Sequence, residues 1–138
     1  GPAHSGSWYN ADQDGHGFSI EFGTQADGTP LAVVYWYTYD NLGNPIFMVG
    51  AGVPDGNTVE IPFASPVGMK FGEFDPTTVE RPGGGVAVFE FADSRNATFS
   101  YTPSSFSTTE WGHVAGIENL ALTQLFRVPA DETYNTAQ

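Results

Sequence analysis

The stretch Leu31–Gly52, LAVVYWYTYDNLGNPIFMVGAG, decides the fold. From Leu31 to Tyr39 almost every residue is β-branched, aromatic or apolar, the composition of a strand. Asp40-Asn41-Leu42-Gly43-Asn44-Pro45 breaks the run with turn residues and Ile46-Phe47-Met48-Val49 resumes it, which predicts a β-hairpin. Side chains alternate across a strand, so Leu31, Val33, Tyr35, Tyr37 and Tyr39 share one face and Ala32, Val34, Trp36 and Thr38 the other. Neither face reads as wet. The expectation is a strand central to a sandwich, or one in a closed sheet whose outer face is also covered.

Outward from the hairpin, the same period of two recurs. Gly6-Ser7-Trp8-Tyr9-Asn10 reads as a short first strand, and Phe18, Ile20 and Phe22 alternate with Ser19 and Glu21 in a second. Asp27-Gly28 supplies turn chemistry before Leu31. Val59, Ile61 and Phe63 alternate with Glu60 and Pro62, where the proline marks an edge or a bulge. Val86 to Phe91, Thr98 to Thr102 and Leu120 to Phe126 complete the set. Two longer irregular stretches interrupt it. Residues 64–85 hold Phe71 and Phe74, expected as plugs sealing one end of the core, and Pro103 to Glu118 is expected as a loop carrying Trp111 and His113.

About eight strands joined mostly by short turns favour an all-β antiparallel meander closed into a barrel, as in streptavidin or the lipocalins. Closure would also remove the edges that such apolar strands expose. An open β-sandwich is the alternative architecture. The opening Gly1-Pro2 looks like a tag-cleavage scar, so residues 1–5 read as scar and lead, 6–128 as a single barrel domain and 129–138 as a flexible polar tail.

The chain has 138 residues, no cysteine and 40% hydrophobic residues, enough for a packed core without disulfides or thiolate metal sites. Four Lys plus Arg against 16 Asp plus Glu give a net charge of -12, which repels phosphate backbones and argues against nucleic acid as a partner. No run is long and apolar enough to insert into a membrane as a helix. Few lysines and many Gly, Ser, Thr and aromatic residues suggest an exported bacterial protein, secreted or held at the cell surface.

Two resemblances carry this further. Gly6-Ser7-Trp8-Tyr9-Asn10 resembles the first strand of the avidin and streptavidin family, which implies an eight-stranded up-and-down barrel and a ligand contact at Asn10. The Gly-Ser pair that follows in that family is missing from Ala11 to Gly17, and the later tryptophans of its biotin cage are not recognisable here. A longer series is similar to an uncharacterised domain recurring in secreted or surface proteins of proteobacteria. It comprises Gly6-x-Trp-Tyr-Asn10, Gly15-x-Gly-Phe18, Tyr35-Trp-Tyr-Thr-Tyr-Asp40, Gly43-Asn-Pro45, Phe74-Asp-Pro76 and Phe91-Ala-Asp-x-x-x-Ala-Thr-Phe-Ser-Tyr101. This resemblance implies location and modularity, and no activity.

Asn10, Asp12 and Asp14, closed by Gly15, have the alternating oxygens of the first half of a calcium loop. The bidentate glutamate that would complete it falls at Glu21 on a strand, so a hairpin loop using Asx turns is the competing reading. His4, His16 and His113 show no ligand spacing, and no nucleophile motif accompanies the serines, so no catalytic residue is named. Glu21, Glu60 and Glu90 alternate with apolar residues and are expected on the wet face. Trp8, Asn10, Tyr35, Trp36, Tyr37 and Trp111 remain as candidate ligand-binding residues, with Tyr39 and Tyr101 in the same aromatic set, since rings with polar tips stack on sugars or line apolar pockets. The resulting expectation is a non-catalytic module binding a carbohydrate or small apolar ligand. The alternatives are a structural or interaction domain with a protein partner or neighbouring domains, or a barrel hydrolase or isomerase.

Overall fold

The structure, a computed structural model, describes residues 1–126. The tail expected over 129–138 lies outside them. Eight strands follow one another around a closed antiparallel barrel: β1 Gly6–Tyr9, β2 Gly17–Thr24, β3 Pro30–Tyr39, β4 Pro45–Gly52, β5 Thr58–Ala64, β6 Gly83–Phe91, β7 Asn96–Pro103 and β8 Ile117–Phe126. Each strand pairs with its neighbours in sequence, and β1 closes the ring on β8 through Trp8↔Gln124 and Tyr9↔Thr123. The meander is therefore a barrel, and the sandwich is excluded.

One helix, α1 (Ser105–Trp111), lies in the stretch expected as loop. Ser104 caps it by accepting a hydrogen bond from the Ser107 amide, and Gly112 ends it in the left-handed conformation at φ 69°. Two turns are too few to show a 3.6-residue apolar period, and only the caps announce it in the sequence.

Register places the rings. Trp8, Phe18, Trp36 and Met48 face one another across β1 to β4 and point inward as one layer. Phe89 and Phe99 pair across β6 and β7 and fill the opposite side. Phe18 lies 4.6 Å from Phe99 and 5.3 Å from Phe89 between ring centroids, and Trp36 lies 5.0 Å from Phe99, so the interior is occupied by its own aromatic groups. Such close ring pairs add stability beyond the area that they bury. Glu21, Glu60 and Glu90 are exposed, as the alternation predicts.

The seam between β4 and β5 is short, only Val49↔Ala64 and Gly50↔Phe63 being paired. Here Gly50 and Gly52 come so near the carbonyl oxygens of Pro62 and Glu60 that a Cβ could not fit. Pro62 pairs with Val86 of β6 and marks this thin seam, as a strand proline should.

The two ends differ. At one, the turns around residues 25–29, 53–57 and 92–95 are short, and a 3-10 turn at Pro2–His4 lies beneath the core. Trp8 donates its indole N–H to the His4 carbonyl at 2.8 Å, and the His4 ring stacks on Phe91 at 4.4 Å. At the other end, which we call the mouth, the tight hairpin turn 40–44 meets the longer connections 10–16, 65–82 and 104–116.

Candidate functional site

The expected coverage of the outer face of β3 is not found. Ala32, Val34 and Trp36 are buried, whereas Tyr35, Tyr37 and Tyr39 are 36%, 51% and 44% exposed on the outer wall, with Phe47 of β4 at 40% beside Tyr37. Both faces of β3 are apolar in sequence because one builds the core and the other displays rings to solvent. Across the wall run the rows Tyr9–Gly17–Tyr37–Phe47 and Ser7–Ser19–Tyr35–Val49, none of them charged. Gly17 is obligatory in its row: a Cβ there would lie 2.9 Å from the Trp8 carbonyl oxygen. Its missing side chain leaves a gap between Tyr9 and Tyr37, two strands apart and therefore about 9.5 Å across.

Tyr37, Tyr39, Phe47, Pro45, Ile46, Thr38 and Gly15 line a cavity of about 290 Å³ where this wall meets the mouth. Tyr39 is pinned at both ends, its hydroxyl donating to the Gly15 carbonyl at 2.8 Å and its own carbonyl accepting from His113 Nε2 at 2.9 Å. The hydroxyls of Tyr35 and Tyr37 have no partner among the described residues, so they are free to bond a ligand.

Behind Tyr39 lies a second cavity, about 270 Å³, at the barrel mouth, bounded by Trp36, Thr38, Tyr101, His113 and the loop through Val114 to Ile117. Its histidine chemistry is determined by the partners. Trp36 Nε1 donates to His16 Nε2 at 2.8 Å, so the His16 proton sits on Nδ1 and is donated to Gln13 Oε1 at 2.9 Å. Burial, and to a lesser degree the charge of His113, hold the His16 pKa below its usual value. His113 donates through Nε2 to the Tyr39 carbonyl, and its Nδ1 lies 2.9 Å from the Tyr101 hydroxyl. That hydroxyl also faces the Gly84 carbonyl at 2.8 Å and Ser107 Oγ at 3.1 Å. Burial raises the Tyr101 pKa, and the Ser107 hydrogen bond partly offsets this.

Of the candidate ligand residues, only Tyr35 and Tyr37 stand on the surface. Trp8, Trp36 and Trp111 are buried in the core, although Trp36 also floors the mouth cavity. Trp111 packs edge-on to Phe106 at 5.2 Å and lies 3.4 Å from where a Cβ on Gly84 would be, so a glycine on β6 makes its seat. Asn10 Oδ1 accepts from the Asp12 amide and Nδ2 donates to the Ala121 carbonyl, which ties the 10–15 loop to β8. Asn10 thus starts the 3-10 turn Ala11–Gln13 as its cap, and no cluster of three or more His, Cys, Asp or Glu able to hold a metal occurs among the described residues.

Phe71 and Phe74, expected as plugs, do the reverse. They are 96% and 64% exposed on an arm that doubles back through the bridges Val67↔Glu80 and Lys70↔Glu73 and turns at Gly72 with φ 85°. The two rings touch edge to face at 5.4 Å. The core needs no plug from them because Phe63 and Tyr101 already pack on Trp36, and Trp111 is buried in the same cluster.

Residues missed from sequence are Phe47, Thr38, His16 and His113. Alternation from Tyr35 and Tyr37 already pointed to Tyr39 on the outer wall, and the hairpin turn would have brought Phe47 beside Tyr37. The His16–Trp36 bond had no signal in spacing.

Fold and site define a closed up-and-down barrel that fills its own interior and keeps exposed rings on its wall and mouth. Comparison with known proteins finds no matching family model, no similar curated protein and no matching solved structure.

Proposed function

We propose that this chain is a non-catalytic binding module that holds a neutral carbohydrate on the tyrosines of its outer wall. The observation that carries this reading is the uncharged row of Tyr35, Tyr37, Tyr39 and Phe47, exposed on a protein of net charge -12 whose interior is already full. Aromatic faces stack on the C–H faces of sugars, and free tyrosine hydroxyls bond their hydroxyl groups. An uncharged wall costs a neutral polymer no unpaired charge on docking. The module belongs outside the cell in this reading, which rests on the composition and on the proteobacterial resemblance. Calcium at Asn10, Asp12 and Asp14 is part of the same proposal only as a loop stabiliser.

Affinity electrophoresis through gels containing neutral polysaccharides, with and without calcium, tests it. The wild-type chain is retarded by at least one polysaccharide, and Tyr37→Ala weakens that retention by about tenfold, equivalent to 1.4 kcal/mol. Unchanged mobility in every gel contradicts it. A second reading, a protein-interaction domain, is favoured by the exposure of Phe71 and Phe74 on their arm. It predicts retention by no polysaccharide.

A further inference from the structure

We propose that the barrel mouth is a second binding site, which borders the tyrosine wall at Thr38 and Tyr39, for a small uncharged molecule of one or two fused rings carrying a single polar group. The cavity of about 270 Å³ suits that size, since an apolar cavity of roughly 150 Å³ already accommodates benzene. Its floor is aromatic, Trp36 and Tyr101, and its rim is aliphatic, Val114, Ala115 and Ile117.

The polar chemistry sets the class. Trp36 Nε1 is held by His16, the Tyr101 hydroxyl by Gly84, Ser107 and His113, and both His113 nitrogens by Tyr101 and Tyr39. Among the lining side chains, Thr38 has the one hydroxyl with no hydrogen bond among the described residues. A charged ligand would surrender its hydration and find no carboxylate, ammonium or guanidinium in the lining to pair with, whereas a ring with one N–H or O–H loses little. Nothing in this resembles the wall, where the tyrosine hydroxyls stand free in solvent and suit a polyhydroxylated ligand.

The loop that borders the cavity is built to leave it open. Gly112 and Gly116 both have positive φ, 69° and 65°. A Cβ at Gly116 would overlap the Tyr101 carbonyl oxygen, and one at Gly112 the Asn41 side chain. These glycines hold Val114 and Ala115 out at the rim, where Val114 is 74% exposed.

Indole is the probe, followed by proton–nitrogen correlation spectra of the labelled protein. The Trp36 indole N–H and the amides of Gly112 and Gly116 shift saturably, while benzoate and benzylamine at the same concentration leave them in place. Thr38→Val weakens indole several-fold, and Ala115→Trp, which fills the cavity, abolishes the shifts while the rest of the spectrum persists. Val114→Trp replaces it if that variant does not fold. Tyr37→Ala leaves indole binding intact, so failure of the carbohydrate reading and failure of this one are told apart. Absence of saturation, equal binding of the charged rings, shifts confined to Tyr37 and Phe47, or binding that survives the filled cavity would each overturn the assignment.

Discussion

The two ends of this barrel use the same sheet for opposite purposes. At the closed end the turns are short and two of the three are organised by an aspartate side chain: Asp27 accepts from the Thr29 amide, and Asp93 from the amides of Arg95 and Asn96. These hydrogen bonds hold both carboxyls below their usual pKa, and the His4 ring completes the seal on Phe91. At the mouth, residues 10–16, 65–82 and 104–116 are long enough to carry groups the core does not need, among them two histidines, an exposed phenylalanine pair and a rim of glycine, valine and alanine. The difference teaches that in a barrel filled by its own rings, any room for ligands lies outside the lumen, on the wall and at the end with the longer connections.

The largest effect belongs to the shared core. Trp36→Ala removes a buried indole from four phenylalanine and tyrosine rings and should cost about 3–5 kcal/mol in urea unfolding. Tyr37→Ala, one position along and on the outer wall, should cost far less; equal losses would erase the distinction between the faces. Next comes the mouth packing. Gly84→Val drives a side chain into Met48 and toward Trp111, for a loss of about 1–3 kcal/mol by the same method.

A smaller effect separates the ends by pH. His16 is neutral in the folded state because Nε2 must accept from Trp36, and its folded pKa lies below the unfolded value of about 6.5. Between those two values the unfolded chain binds the extra proton, so stability falls as pH drops below about 6.5 and levels off beneath the folded pKa. His16→Gln should remove that component of the pH dependence of the melting midpoint, while the closed end is untouched. The smallest effect is at the arm. Phe71→Ser should change stability by no more than about 0.5 kcal/mol, since the ring is almost wholly exposed. A loss of several kcal/mol would restore its role as a plug.

Much of this was legible in the sequence, for identifiable reasons. Alternation placed Trp36 and Tyr37 on opposite faces and brought Phe99 and Tyr101 to the same one, and the run of short turns implied closure. What alternation cannot say is which face of β3 is core when both are apolar, and that choice is made by Phe18, Phe63 and Phe99 gathering around Trp36. Phe71 and Phe74 misled because hydrophobicity alone argues for burial, while the Gly72 turn and the flanking bridges carry them away from the core. Tyr35 and Tyr37 were visible as candidates, but the mouth cavity was not. It is made by contacts between distant segments, Tyr39 with His113 and Trp36 with His16, which no local pattern encodes.

The most direct test of the carbohydrate-binding wall is a thermal melt of the wild-type chain and Tyr37→Ala, each with a panel of soluble neutral oligosaccharides. A ligand at about a hundred times its Kd adds roughly 2.7 kcal/mol to the folded state, enough to raise the midpoint by several degrees. At least one oligosaccharide should raise the wild-type midpoint and leave Tyr37→Ala nearly unmoved. Flat melts for the wild type with every sugar, or an equal rise in both proteins, would contradict it.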